Sequence, residues 1–305
     1  MAEASAPIEV AVGILRDPRG CVLIGERTAG RAYAGYWEFP GGKLEPGESA
    51  EQALVREFDE ELGTVVRAAR PLIRLRHDYP EYSVRLSVFE ITDWAGEPRS
   101  VEGQRLAWVA PEALDDWKLL PADAPLVAAI RLPREIAVSP PGASAEDLLA
   151  GLPSLPPGAA LRLRDPARDD GSYARVAEAL LPACRAAGRQ LILDRGEALS
   201  RSLGEPICMV RAAESARPDG LLRGVSVHDA AECEAASGAD FLVLGPVAAT
   251  PTHPGAEGLG WDAAARLIDS QSKPVYLIGG LRRADLERAV SIGAQGIAGI
   301  RCYWS

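Results

Sequence analysis

The stretch Gly41–Thr64, GGKLEPGESAEQALVREFDEELGT, decides how the rest of the chain is read. Pro46-Gly47 makes a turn, and Ser49 stands where a helix N-cap belongs, just before an alanine-rich run. Ala50, Leu54, Phe58 and Leu62 recur at helical spacing and predict one buried face. Glu57, Glu60 and Glu61 crowd a neighbouring face at i, i+3 and i+4. Like charges so placed cost a helix roughly 0.2–0.5 kcal/mol per pair. A solvated acidic helix would carry such a cluster in water. Otherwise a cation must offset it, and a hard divalent ion with oxygen ligands is the natural candidate.

The chain of 305 residues has room for two domains with separate cores. Its composition, 47% hydrophobic and 25% charged, is that of an ordinary globular protein, and no apolar run is long enough to span a bilayer. The start, MAEASAPIEV, lacks a basic segment followed by an apolar core, so no secretory signal is expected. A net charge of −10 argues against a nucleic-acid polymer as partner, although not against a nucleotide held through a metal. Cysteines 21, 184, 208, 233 and 302 show no C-x-x-C spacing, so neither zinc nor a disulfide framework is expected, and a cytoplasmic location fits.

Around the helix, Ile8–Leu15 and Cys21–Gly25 read as strands joined by the Asp17-Pro-Arg-Gly20 turn. Leu72–Arg76, Tyr82–Thr92 and Leu106–Val109 read as further strands, and Asp123–Arg131 as a closing helix. Strands on both sides of one acidic helix predict a mixed α+β sandwich over residues 1–131.

Gly42, Glu48, Arg56, Glu57, Glu60, Glu61 and Gly63 fit G-x5-E-x7-R-E-U-x-E-E-x-G-U, with Phe58 in the first apolar slot U and Thr64 where an aliphatic residue is usual. This segment resembles the signature of the Nudix hydrolases. The AVGIL start, Trp37-Glu-Phe-Pro-Gly-Gly-Lys43, Gly96-Glu-Pro98, Glu102-Gly-Gln104 and Leu120-Pro-Ala122 extend the resemblance to MutT-type members across the whole domain. The resemblance implies a magnesium ion, with manganese able to substitute, held by Glu57, Glu60, Glu61, Glu102 and the backbone of Gly41. Arg56 would orient Glu57, and Glu57, Glu60 and Glu102 all stand as proton acceptors. Arg27, Phe39, Gly42, Lys43, Glu48 and Asp123 would meet the substrate. Asp123 stands where MutT-type enzymes carry an asparagine for the purine edge, and an ionised carboxylate only accepts hydrogen bonds. Its alternative role is an N-cap for the last helix.

From about Glu135 short apolar runs alternate with Ala/Leu-rich segments. The runs are Glu135–Ser139, Ala160–Arg164, Gln190–Asp194, Pro206–Val210, Arg223–Val227, Asp240–Gly245, Pro274–Ile278 and Gly296–Ile300. Eight of them predict a (β/α)8 barrel over 135–305, small enough to be trimmed, with 132–142 as linker and start of the first strand. Gly224-Val-Ser-Val-His228, Gly238-Ala-Asp240, Leu244-Gly-Pro246, Thr250-Pro-Thr-His253, Ile278-Gly-Gly280 and Gly293-Ala-Gln-Gly296 resemble the thiamine phosphate synthase / thiazole tautomerase family. The resemblance implies a thiamine-related phosphate ligand at Thr250, Thr252, Gly279 and Gly280, with Ser226 alongside and His228 as a proton carrier. It departs from the family at Arg164-Asp-Pro166 and at His253, which replaces a lysine. Asp194 and Arg195 keep only the last two residues of an Asn-Asp-Arg pattern, and Met209–Ser215 offers no second metal-binding aspartate.

The resulting expectation is a magnesium-dependent pyrophosphohydrolase with a small-molecule nucleotide as substrate. It would convert 8-oxo-dGTP to 8-oxo-dGMP and pyrophosphate and so clear oxidised precursors before DNA replication. One rival keeps the hydrolase with a thiamine-related diphosphate as substrate. Another makes the barrel a tautomerase or synthase with the Nudix part accessory, and a third makes the barrel a ligand sensor. Nothing in the sequence points to an oligomeric state or a membrane.

Overall fold

The computed structural model describes residues 6–211, 220–250 and 257–304. The chain divides into two compact units, Met1–Arg131 with Ile268–Pro274 and Leu132–Leu267 with Val275–Ser305.

In the first unit β1 (Ile8–Ile14) lies at the middle of a four-stranded sheet. It pairs antiparallel with β4 (Gly41–Lys43) and parallel with β6 (Ser83–Ala95), and β5 (Val65–Asp78) completes the sheet beyond β6. A second sheet holds β3 (Trp37–Glu38), β2 (Val22–Glu26) and β7 (Leu106–Val109) in that order. Because side chains alternate along a strand, β1 sends Ala11 to one core and Val12 and Ile14 to the other. The first core takes α1 (Ala50–Leu62) through Leu54, Phe58 and Leu62; the second takes α2 (Ala124–Arg131) through Leu126 and Ile130. Phe58 is fully buried, worth about 1.5–3 kcal/mol, and its ring lies where only a glycine leaves room. A Cβ on Gly13 would come within 2.4 Å of it.

Strand and helix ends shift from the sequence expectation, most of all in β5. The strand expected at Leu72–Arg76 runs the whole length of β5, because register shifts between Val66 and Ile73 break the alternation that marks a strand. The last helix begins after Asp123, whose side chain caps nothing.

The second unit is a closed barrel of eight parallel strands. They are β8 (Glu135–Val138), β9 (Ala160–Leu163), β10 (Leu191–Leu193), β11 (Ile207–Met209), β12 (Leu222–Val227), β13 (Phe241–Leu244), β14 (Val275–Ile278) and β15 (Gly296–Gly299). All eight expected runs form strands. Trimming falls on the helices instead: α3 (Ala145–Gly151) and α5 (Glu197–Leu203) have 7 residues each, and α6 (Ala230–Ala235) and α8 (Leu286–Ser291) have 6. The longer α4 (Asp170–Ala186) covers β9 and β10 through Tyr173, Val176 and Leu180. Only Leu132, Pro133 and Arg134 separate α2 from β8.

Candidate active site

Helix α1 is fixed at both ends. Ser49 Oγ accepts from the Gln52 N–H at 3.2 Å, and Gln52 Oε1 accepts from the Ser49 N–H at 2.8 Å, a reciprocal capping box. Gly63, at φ 59°, ends the helix in the left-handed region, where a side chain would be strained. Thr64 is fully buried, and its hydroxyl donates to the Leu62 carbonyl at 3.4 Å, which lets it fill an aliphatic slot.

The cation that answers the crowded carboxylates is in the first place Arg56. Its Nε and Nη2 donate to Glu48 at 3.0 and 2.9 Å, its Nη1 to Glu57 at 2.8 Å and Glu60 at 3.2 Å, and Nη2 also to the Lys43 carbonyl at 3.1 Å. Glu48 therefore secures Arg56, and Lys43 contributes its carbonyl while its side chain is exposed. The Glu60 side chain is 59% exposed and turned to Arg56. Glu57 lies against Gly42, where a Cβ would come within 2.1 Å of its Oε1.

Glu61 sits among other carboxylates. Burial, and then the carboxylates of Glu38, Glu57 and Glu102, push its carboxyl up to about 8, against the opposing pull of the Gly41 N–H that it accepts. A small cavity is lined by Glu61, Glu38, Glu102, Arg27, Arg31 and Gln104, among others. Glu102 reaches it from a loop tied to the end of α1: the Arg99 N–H donates to the Leu62 carbonyl at 3.0 Å, and Val101 N–H and Gln104 Nε2 both donate to the Glu61 carbonyl at 3.1 Å. Arg31 Nη2 occupies Glu102 at 2.6 Å.

Among the described residues no three acidic, histidine or cysteine side chains stand at metal-ligand spacing. Two of the expected ligands, Glu60 and Glu102, are drawn aside by Arg56 and Arg31. The donor set still fits a hard divalent ion: it is all oxygen, and Glu61 sits among carboxylates that repel one another.

Glu38 is the residue that the motif did not announce. It pairs with Arg27, and burial raises its pKa. The available signal was an acid inside the otherwise apolar Trp37–Phe39 run. Arg27 Nε is held by the Ala32 carbonyl at 2.8 Å. The Phe39 side chain belongs to the core, 3% exposed, and only its backbone N–H faces the site, donating to Asp123 Oδ2 at 3.0 Å. Asp123 is 5% exposed, and burial, reinforced by Glu38, pushes its carboxyl up to about 8.

In the barrel, Asp194, Ser226 and His228 line one cavity, and Ser226, His228, Thr250, Gly279 and Gly280 line another. Thr252 lies outside the described residues. The His228 side chain is 56% exposed, with Nδ1 2.7 Å from Glu232 Oε2. Gly279 and Gly280, at φ 96° and 69°, press on the loop after β13: a Cβ on Gly279 would lie 2.5 Å from Pro246 Cβ.

Residues 11–129 match the NUDIX domain family, and residues 137–302 match the thiamine monophosphate synthase family. The chain is 40% identical over 120 residues to the 8-oxo-dGTP diphosphatase of Haemophilus influenzae, an overlap of 39% of this chain and 88% of that protein. The chain is a Nudix hydrolase joined to a thiamine monophosphate synthase-family barrel. Its Nudix domain is also 39% identical over 123 residues to the CTP pyrophosphohydrolase of Escherichia coli, covering 40% of this chain and 90% of that protein. The thiamine-phosphate synthase of Gloeobacter violaceus is 39% identical over 98 residues, which are 32% of this chain and 28% of that protein. Among the described residues no helix is long and apolar enough to cross a membrane.

Proposed function

We propose that the Nudix domain hydrolyses 8-oxo-dGTP to 8-oxo-dGMP and pyrophosphate, with magnesium as cofactor. The observation that carries this reading is that Glu38, Glu61 and Glu102 line one small cavity, with Glu57 packed against Gly42 of β4. Glu57, Glu60, Glu61, Glu102 and the Gly41 backbone would hold the ion, which would supply charge neutralisation to the phosphates. The protein's own groups do the rest. Arg56 holds Glu57 in place, and the Gln104 loop positions Glu102. A carboxylate of this set takes the proton from the attacking water. Asp123 fits the purine edge as a neutral acid, since burial keeps it protonated and a protonated carboxyl both donates and accepts.

A second substrate reading has a specific observation behind it, the 39% identity to a CTP pyrophosphohydrolase. Pyrophosphate release in the presence of magnesium, with 8-oxo-dGTP, dGTP, CTP and thiamine diphosphate in parallel, separates the readings. The highest kcat/KM is expected for 8-oxo-dGTP. A preference for CTP or thiamine diphosphate would replace the substrate assignment. Glu57→Gln and Glu61→Gln should each lower kcat by about a hundredfold or more, and turnover indifferent to both would remove the metal site.

A further inference from the structure

The barrel opens at the C-terminal ends of its strands into a cavity of about 620 Å³. Arg162, Arg164, Arg282 and Arg301 line it, and among the described residues no carboxylate does. In a chain of net charge −10, this is a local reversal of sign.

Arg162 is the most enclosed of the four. It projects from β9 with its side chain 5% exposed, and Nε and Nη2 donate to the two oxygens of Asp194 at 2.7 and 2.9 Å. Its Nη1 has no hydrogen-bond partner among the described residues, so the two N–H donors of that nitrogen are left at the cavity.

The family resemblance implies a divalent ion here, with Asp194 as the one matching aspartate. The residues do not fit it. Both Asp194 oxygens are engaged by Arg162, and Arg164 Nε stands 3.9 Å away. The other carboxylate of the adjoining cavity, Glu232, is held by His228 at 2.7 Å. A hard cation requires several oxygen ligands, whereas guanidinium forks match phosphate oxygens directly.

We infer that the barrel mouth binds a phosphate-bearing small molecule directly on its arginines, with no bridging divalent ion. Asp194 acts as a clamp that keeps Arg162 in line. This inference is independent of the substrate proposed for the Nudix domain.

The test is calorimetric titration of the full chain with inorganic pyrophosphate in EDTA and, separately, in magnesium. Glu57→Gln/Glu61→Gln is carried throughout to disable the other domain. Binding is expected in EDTA. Arg282→Gln/Arg301→Gln, both at exposed positions, should weaken it by about tenfold. Asp194→Asn should leave it within about threefold, because a clamp on Arg162 needs only an acceptor. Binding that appears only with magnesium overturns the inference. So does binding that Asp194→Asn abolishes, or that ignores the loss of both exposed arginines while circular dichroism shows an intact fold.

Discussion

Arg56 and Glu48 meet through two parallel hydrogen bonds, Nε to Oε1 at 3.0 Å and Nη2 to Oε2 at 2.9 Å. With that end fixed, Nη1 is aimed at Glu57 from 2.8 Å. The pair converts a helix side chain into a bracket for a site carboxylate. Lysine keeps the charge but has no planar fork. Arg56→Lys should therefore lower kcat by about 10–100-fold, the usual cost of losing a group that orients a ligand. Steady-state kinetics beside a melting curve check this, and an unchanged kcat would leave Arg56 with only a structural role.

Asp123 sets a pH dependence whose sign follows from its surroundings. Burial raises its carboxyl from 3.8 to about 8, so folding takes up a proton between those values. The stability it supplies is full below the unfolded value and is lost as pH rises through the folded one. Asparagine can still accept from the Phe39 N–H and does not ionise. Denaturation midpoints should fall less for Asp123→Asn than for the parent between about pH 4 and 8. Parallel profiles would show that Asp123 does not titrate in this window.

Gly42 leaves room for the Glu57 carboxylate rather than bending the chain. A Cβ there would stand 2.1 Å from Oε1, so Gly42→Ala must push Glu57 aside. Displacement of about 1 Å at a reacting group costs on the order of a hundredfold in rate. The far-UV spectrum should stay the same while kcat drops by that factor. Retained activity would place Glu57 outside the reaction.

The helix, its cap and the eight barrel strands were legible because each is encoded locally, in side-chain periodicity and capping residues. Ser49 and Gln52 are three residues apart, and the strand runs stand out as short apolar blocks. The first half of β5, before Leu72, was not legible, since bulges interrupt its alternation. The partners of the site carboxylates were hidden for a different reason. Arg31 reaches Glu102 and Phe39 reaches Asp123 across 71 and 84 residues, and folding alone brings them together. The same holds for Arg162 and Asp194, 32 residues apart, whose pairing turns a matching motif residue to another use.

Barrel closure joins the first strand of that unit to the last, with Ile136 opposite Ala298. A ring of this kind has no internal stopping point: every strand from β8 to β14 can be made and still leave two open edges until β15 arrives. Contacts between such distant segments form late, because the loop they close is long. On the ribosome the Nudix half can thus be complete while the barrel still waits for its final residues. A chain cut before Gly296 would present two unpaired parallel edges, the form of incomplete sheet most open to wrong partners.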